Sequence, residues 1–241
     1  QRTDPVSPDL VGSGFSDHAT KLFMDSRDIS NGIHQHLGPQ SLAVVSRIII
    51  GISGASGVIY GIRLLEMLRT LQVSTHLIMT KAAELTVAHE TDWKIADIKR
   101  LADSCHPIED IGAAPASGSF RTMGMVIAPC SMRTVAELAT GVTGNLLTRA
   151  ADVVLKERRQ LVLMVRETPL HSVHLRNLST LSDLGAIIAP PVPAFYARPR
   201  SVDEMVHHTL GRVLDCFELD SGTVKRWGED IGKKKHMTRE R

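Results

Sequence analysis

Residues 47–58 read RIIIGISGASGV. Arg47 to Ile52 is a β-branched apolar run of strand length that ends in Gly51-Ile52-Ser53-Gly54-Ala55-Ser56-Gly57, and an apolar-periodic segment opens at Val58. A nearly continuous apolar strand is what a parallel sheet covered on both faces requires. Small residues after it let the backbone approach a ligand closely, and the next helix N-terminus offers free N–H groups and a positive dipole end to phosphate. The stretch predicts a strand, turn and helix of an α/β sheet, with an anion site at the turn. A tight turn needing glycine for conformation alone is the plainer alternative; the interleaved hydroxyls of Ser53 and Ser56 favour the ligand. The spacing is neither GxGxxG with an acidic residue about 20 positions on nor GxxxxGK[ST], so nicotinamide and ATP sites lose support.

The same alternation continues outward. Further strands are expected at Ser74–Met79, Met125–Ala128, Leu161–Val165 and Ala186–Ala189. Helical periodicity fills Val58–Leu71, Lys81–Glu90, Ser131–Thr140, Leu146–Arg159, His171–Leu184 and Val202–Phe217. The fold class expected is α/β: an open parallel sheet with helices on both faces, a Rossmann-like or flavodoxin-like three-layer sandwich over residues 46–228. Residues 1–45 lack a sustained apolar period and read as a mobile extension, and 229–241, with KKKHMTRER from Lys233, as a charged, solvated tail.

Composition narrows the function classes. A chain of 241 residues with 43% hydrophobic residues can bury one substantial core. Its 28 basic against 26 acidic residues leave a net charge of +2, without the basic excess that nucleic-acid binding draws on. The longest uncharged apolar runs, Ile48 to Ile62 and Leu184 to Ala197, are interrupted by glycine or proline and fall short of the roughly 20 residues of a membrane span. Cys105, Cys130 and Cys216 form no CxxC pair, which fits a reducing, intracellular compartment. Asp4, Asp9, Asp17, Asp25 and Asp28 argue against a transit peptide, while the long leader and Lys-rich tail leave mitochondrial and cytoplasmic locations both open.

In open parallel sheets the ligand crevice lies at the carboxyl ends of the strands. The strand ends here are the glycine turn, Thr80-Lys81, Pro129-Cys130-Ser131-Met132-Arg133-Thr134 and Arg166-Glu167-Thr168-Pro169. Thr80, Ser131 and Thr168 read singly as helix N-caps. Together the loops converge as a pocket for a phosphorylated planar cofactor such as a flavin. The loop Ala116 to Phe120 is placed to close over this crevice, unless it is only a linker. Arg149, Asp152 and Lys156 share a helix face, and the strand that follows leads to Arg166 and Glu167, which suggests cations for a second phosphate beside the flavin. His171 and His174 are read as helix surface rather than zinc ligands.

The stretches GISGASGVIYGIRLL, ETDW, ASGSF, APCSMRT, LLTRAADVVLKERRQLVLMVRETPLH, LGAIIAPPVPAFYARP and the closing Arg-Trp-Gly are collinear over about residues 47–228. They resemble the flavin prenyltransferase family, the UbiX and phenylacrylic acid decarboxylase group. The resemblance implies binding of reduced FMN and transfer of a dimethylallyl group from dimethylallyl phosphate to flavin N5 and C6, without a metal. It places Gly54, Ala55 and Ser56 in the first FMN loop, Thr80 after the second strand, Ser131, Met132, Arg133 and Thr134 in the third loop, and Arg166 at the flavin. Tyr196 and Arg212 match the contacts to dimethylallyl phosphate, and Lys156, Arg149, Glu90, Glu167, Ser117 and Ser119 the polar prenyl-phosphate and catalytic positions. Ser56, Glu90, Glu167, Lys156 and Arg149 are the expected catalytic set, with Glu167 and Glu90 as candidates for moving a proton. A homo-oligomer, a dodecamer with sites at subunit junctions, is implied, as is a separate UbiD-type decarboxylase that uses the prenylated FMN. The alternatives are an FMN-dependent decarboxylase of the same fold, with His106 or His171 as base, and a non-catalytic flavin-binding protein.

Overall fold

The computed structural model describes residues 46–231, so the expectations for 1–45 and for the tail from 232 on lie outside the described residues. Six strands, β1 (Arg47–Ile52), β2 (Ser74–Met79), β3 (Ser104–His106), β4 (Gly124–Cys130), β5 (Gln160–Val165) and β6 (Ile187–Ile188), form one sheet in the order β3-β2-β1-β4-β5-β6. Every pairing is parallel. The connecting helices are α1 (Val58–Thr70), α2 (Lys81–Glu90), α3 (Ile95–Leu101), α4 (Met132–Ala139), α5 (Leu146–Lys156), α6 (Ser172–Asp183) and α7 (Val202–Asp215).

Alternate strand residues serve opposite faces, because successive side chains in a strand point to opposite sides. Ile48, Ile50 and Ile52 pack with Ile62 and Leu65 of α1 and with Leu210 and Val213 of α7. Ile49, Met125 and Ile127 pack with Val135 of α4, Leu147 and Ala151 of α5 and Leu181 of α6. These two buried layers make the three-layer α/β sandwich that the apolar runs imply. The strand order reverses between β1 and β4, and a ligand crevice belongs outside the carboxyl ends of those two strands.

Several boundaries differ from the sequence reading. β4 continues through Pro129 to Cys130, with its register to β5 shifting between Ile127 and Cys130, an irregularity that accommodates a residue with no N–H to donate. The edge strand β3 and the helix α3 are additional elements. α5 stops at Lys156 because Arg158 turns into the left-handed region at φ 57°. β6 shrinks to two residues. Ordered contacts run past residue 228: Trp227 pairs with Ile231, and the Arg226 guanidinium holds Asp215 at 3.0 Å. Thr168 caps no helix. The residue before a proline is pushed toward extended backbone, and α6 begins only after Pro169, capped by His171 Nδ1, which accepts from the Val173 amide at 3.2 Å. No helix among the described residues is long and apolar enough to cross a membrane. Cys105, Cys130 and Cys216 are free thiols.

Candidate functional site

The carboxyl ends of β1 and β4 are stitched together by Ser53. Its buried hydroxyl donates to the Pro129 carbonyl at 2.8 Å and accepts from the Ser131 amide at 2.8 Å. The Thr80 amide bonds the Ile52 carbonyl at 3.0 Å, which brings the end of β2 alongside. Gly54 is required by packing, since a Cβ there would stand 2.4 Å from Cβ of Ala82 on α2. Gly57 turns the chain into α1 at φ +99°.

Three helix N-termini converge on this edge, each capped by a side chain that satisfies one amide and leaves others free. Thr80 accepts from the Ala83 amide at 3.0 Å, Ser131 from Thr134 at 3.3 Å and Asn145 from Thr148 at 3.1 Å. Between them lies a crevice of about 730 Å³ whose walls include Gly54, Thr80, Ser131, Arg133, Thr134 and Asn145. The amides of Gly54, Ala55 and Ser56 meet no hydrogen-bond partner among the described residues. Free amides on a glycine turn, hydroxyls and helix N-termini are the donor set for a phosphorylated ligand, and the volume is that of a cofactor-sized pocket. FMN therefore fits the residues present. Met132 contributes only its backbone position, because its side chain is buried in the core.

Glu90, the last residue of α2, reaches the same turn. Its carboxylate accepts from the Gly57 amide at 2.8 Å and the Val58 amide at 3.3 Å. Partial burial pushes this carboxyl up, but hydrogen bonds from the Ser56 hydroxyl and the two amides, with the Arg166 charge, outweigh it and hold Glu90 below the usual carboxylate range. Arg166 and Glu167 follow β5 at this edge and are exposed. The Arg166 amide bonds the Cys130 carbonyl at 3.2 Å, and Glu167 accepts from the Thr168 amide at 3.0 Å.

Tyr196 and Arg212, distant in sequence, line a second cavity of about 540 Å³ together with Pro190, Val192, Pro193 and Val213. The two cavities share no lining residue. Arg212 is paired with Asp215, and the Tyr196 ring stands edge-on to Trp227 at 5.9 Å.

Within one chain Ser117, Ser119 and Lys156 lie away from the flavin crevice, so the cations and the hydroxyl-rich loop expected beside it are not those of the same chain. α5 starts at the crevice with Asn145 and runs back along the sheet for about 16 Å, so Lys156 emerges near the amino ends of the strands. There it pairs with Glu157, and a Cβ on Gly118 would come within 2.9 Å of its Nζ. The loop is pinned in place rather than poised over the crevice: Arg159 donates to the carbonyls of Phe120 at 2.6 Å and Gly118 at 2.9 Å, and the hydroxyls of Ser117 and Ser119 are 2.8 Å apart. Arg149 sits one turn into α5 and pairs with Asp152 at 2.9 Å. His171 and His174 stack with ring centroids 3.5 Å apart, and no group of three or more metal-ligating side chains occurs among the described residues.

The sequence reading counted the Ser53 hydroxyl toward the ligand turn without giving it a role of its own, and left out Asn145. Their signals were present, a hydroxyl inside the glycine turn and Asn145 three residues before Thr148. The crevice wall at Ile108, Glu109 and Ile111 follows β3 and went unseen along with that strand.

Comparison with known proteins accords with this geometry. The family model described as Flavoprotein matches residues 39–214. The flavin prenyltransferase UbiX of Escherichia coli K12 is 54% identical over 186 residues, covering 76% of this chain and 98% of that protein. A structure of AnUbiX in complex with FMN and dimethylallyl pyrophosphate superposes with a TM-score of 0.74 at 48% identity, over 75% of this chain and 96% of the other. The dodecameric FMN-dependent UbiX-like decarboxylase of Escherichia coli O157:H7 gives 0.74 at 47% identity, over 75% and 98%. With a glycine turn, hydroxyl-capped helices and this extent of identity, the chain belongs to the UbiX flavin prenyltransferase family of flavoproteins.

Proposed function

We propose that the protein joins a dimethylallyl group from dimethylallyl phosphate to N5 and C6 of reduced FMN, releasing phosphate, and that the prenylated FMN serves a separate UbiD-type decarboxylase. The observation that carries this reading is the presence of two distinct polar-ended cavities, a hydroxyl-lined crevice for one phosphorylated substrate and the Tyr196–Arg212 cavity for another. When bound, reduced FMN supplies the nucleophilic ring atoms. Gly54, Ala55, Ser56, Thr80 and Ser131 to Thr134 hold its polar end with amides and hydroxyls, and Arg166 lies at the rim.

Arg212 provides a cation where a phosphate leaves, and the apolar walls of Pro190, Val192 and Pro193, exposed in one chain, keep water from an allylic cation once a neighbouring copy covers them. Glu90, held ionised beside the Ser56 hydroxyl, acts as a proton acceptor there, whereas the exposed Glu167 carboxyl is the group that moves a proton at the crevice rim. Direct decarboxylation by a histidine base has less support, since the residues lining the crevice include no histidine.

Lys156, Arg149, Ser117 and Ser119 reach such a site from a neighbouring copy. One chain holds the implicated residues in three separate places, and a homo-oligomer, a dodecamer as expected from the resemblance, brings them together. Large apolar side chains left exposed support association: Phe195 is 74% and Trp227 70% exposed, and Val173 and Leu175 lie bare on α6.

The decisive experiment is anaerobic incubation with reduced FMN and dimethylallyl phosphate, followed by mass spectrometry of the released flavin. Flavin carrying one added dimethylallyl unit is the expected product. Unmodified FMN would overturn the reading.

A further inference from the structure

The register of the edge strands sets His76 of β2 opposite Ser104 of β3, so His106, two residues on, shares its face of the sheet. His76 Nδ1 and His106 Nε2 are 3.0 Å apart, with both side chains half-buried. The ring centres are 5.3 Å apart and the planes within 9° of parallel. A separation of centres that long is the most a 3.0 Å nitrogen contact permits, so the rings meet end to end in a common plane. This is N–H···N geometry, in which one ring donates and the other accepts. It leaves room between the nitrogens for a proton and for no metal ion. The contact also closes a loop. The segment 107–120 leaves β3 at His106 and returns to the sheet at Phe120, whose ring meets His76 edge-on, with centres 4.9 Å apart at 75°. His76 therefore touches both ends of the segment. Between those ends lie Ile108, Glu109 and Ile111 of the crevice wall, then Ser117 and Ser119. The Leu146 amide bonds the Ile108 carbonyl at 2.9 Å, which carries the position of the wall to the start of α5.

We propose that His76 and His106 are positioning residues of the flavin crevice, a clasp that holds the segment 107–120 through one shared proton and opens when both rings are protonated. Its effect on the crevice wall stands on geometry alone; an effect on prenyl transfer through Ser117 and Ser119 rests on the function proposed above. Two neutral imidazoles carry two N–H groups and two acceptors. A first added proton leaves the N–H···N bond in place, whereas a second makes four N–H groups with no acceptor and sets two cations side by side. Arg47 of β1, with Cζ 5.3 Å from the centre of the Phe120 ring, opposes protonation, and Asp103 before β3 and Asp110 after it favour it. Lys81 and Lys99, paired with Glu109 and Glu84, line a pocket with His106 and the Cys105 thiol. Burial first, then the His106 charge and Arg47, hold His76 below the ordinary value of 6.5 against the pull of Asp103, and burial holds His106 below it against Asp110. The contribution of the clasp is thus present above 6.5 and is lost as pH falls through the lower folded values.

The test uses the assembled, full-length protein as wild type, His106→Gln and His106→Leu. Two readouts are taken from about pH 8 to about pH 5, where imidazoles titrate: FMN affinity by fluorescence titration, which needs no turnover, and kcat/KM for dimethylallyl phosphate. Phosphate monoesters ionise near pH ~6, so each variant is compared with wild type at the same pH. His106→Gln returns an N–H to the His76 ring and takes up no proton, whereas His106→Leu offers the ring neither donor nor acceptor. At neutral pH His106→Gln should bind FMN as wild type does, and His106→Leu roughly 2- to 10-fold more weakly, the worth of one neutral hydrogen bond. Toward the acid end wild type should lose a similar factor relative to His106→Gln, which is the deciding variant if His106→Leu proves unstable. Wild type and His106→Gln falling in parallel at every pH would overturn the proton clasp. Wild-type FMN affinity in His106→Leu across the range would overturn the positioning role. The expected FMN pattern in a protein making no prenylated flavin would sustain the clasp and sink the proposed reaction.

Discussion

The Glu90 carboxylate at the end of α2 lies 2.8 Å from the amide nitrogen of Gly57, the residue that opens α1. It thereby ties the glycine turn to a neighbouring helix. Glu90→Ala removes the acceptor for two amides, and the turn should loosen, weakening FMN binding about tenfold by the scale of a charged hydrogen bond. Fluorescence titration of FMN measures this; unchanged affinity would mean the turn holds its shape alone. A pH dependence follows. The folded-state value of Glu90 is depressed, so its contribution is present above the ordinary value of 4.5 and is lost as pH falls through the lower folded value. Wild type should lose stability relative to Glu90→Gln as pH drops below 4.5. A gap that stays constant with pH would remove the charge from the account.

Gly54→Ala places a methyl group 2.4 Å from Cβ of Ala82, which forces α2 and the turn apart. Overpacking of this kind costs typically 1–3 kcal/mol. The melting temperature should fall and FMN binding weaken, and Ala82→Gly in the same chain should restore much of both. Failure of that rescue would show that the close approach of turn and helix is not what Gly54 secures.

The strong periodicities carried most of the fold. The continuous apolar run of Ile48 to Ile52 and the spacing in α1 and α7 are dictated by burial, and burial is what an apolar pattern records. Ser104–His106 has only three residues and pairs with a single strand, β2, too few for a period, and α3 has seven. The crevice residues were legible because each follows a strand, where chain direction fixes the edge. That Lys156 lies away from its own chain's crevice was not legible, for the converse reason. Helical spacing tells which residues share a face, whereas the end of the sheet at which a residue emerges depends on where the helix starts, and α5 starts at the crevice.

Glu167→Gln tests the proton-moving role. The side chain is exposed, so its neutralisation should not disturb the core, and the amide still accepts from the Thr168 amide. FMN affinity should remain at the wild-type level while turnover falls by about 10²–10⁴, the usual range for a positioned acid or base. Stopped-flow spectra would show whether the reaction stalls before or after the first bond forms. Wild-type turnover would reduce Glu167 to a loop contact.

The last prediction concerns how many chains make one site. Lys156 emerges near the amino ends of the strands and Glu167 at the carboxyl end of β5, so no single chain closes both around one substrate. Lys156→Ala and Glu167→Gln should each abolish most turnover when expressed alone. Co-expressed with different tags and purified through both, they should form mixed assemblies in which some sites take glutamate from one variant and lysine from the other. For random mixing of two chain types at a two-chain site, about a quarter of the sites regain both residues, so activity should return to about a quarter of wild type. Separately purified variants mixed without subunit exchange should stay inactive. If doubly tagged assemblies stay as inactive as the parents, Lys156 and Glu167 do not meet across a subunit junction, and the oligomer is a scaffold for sites complete within each chain.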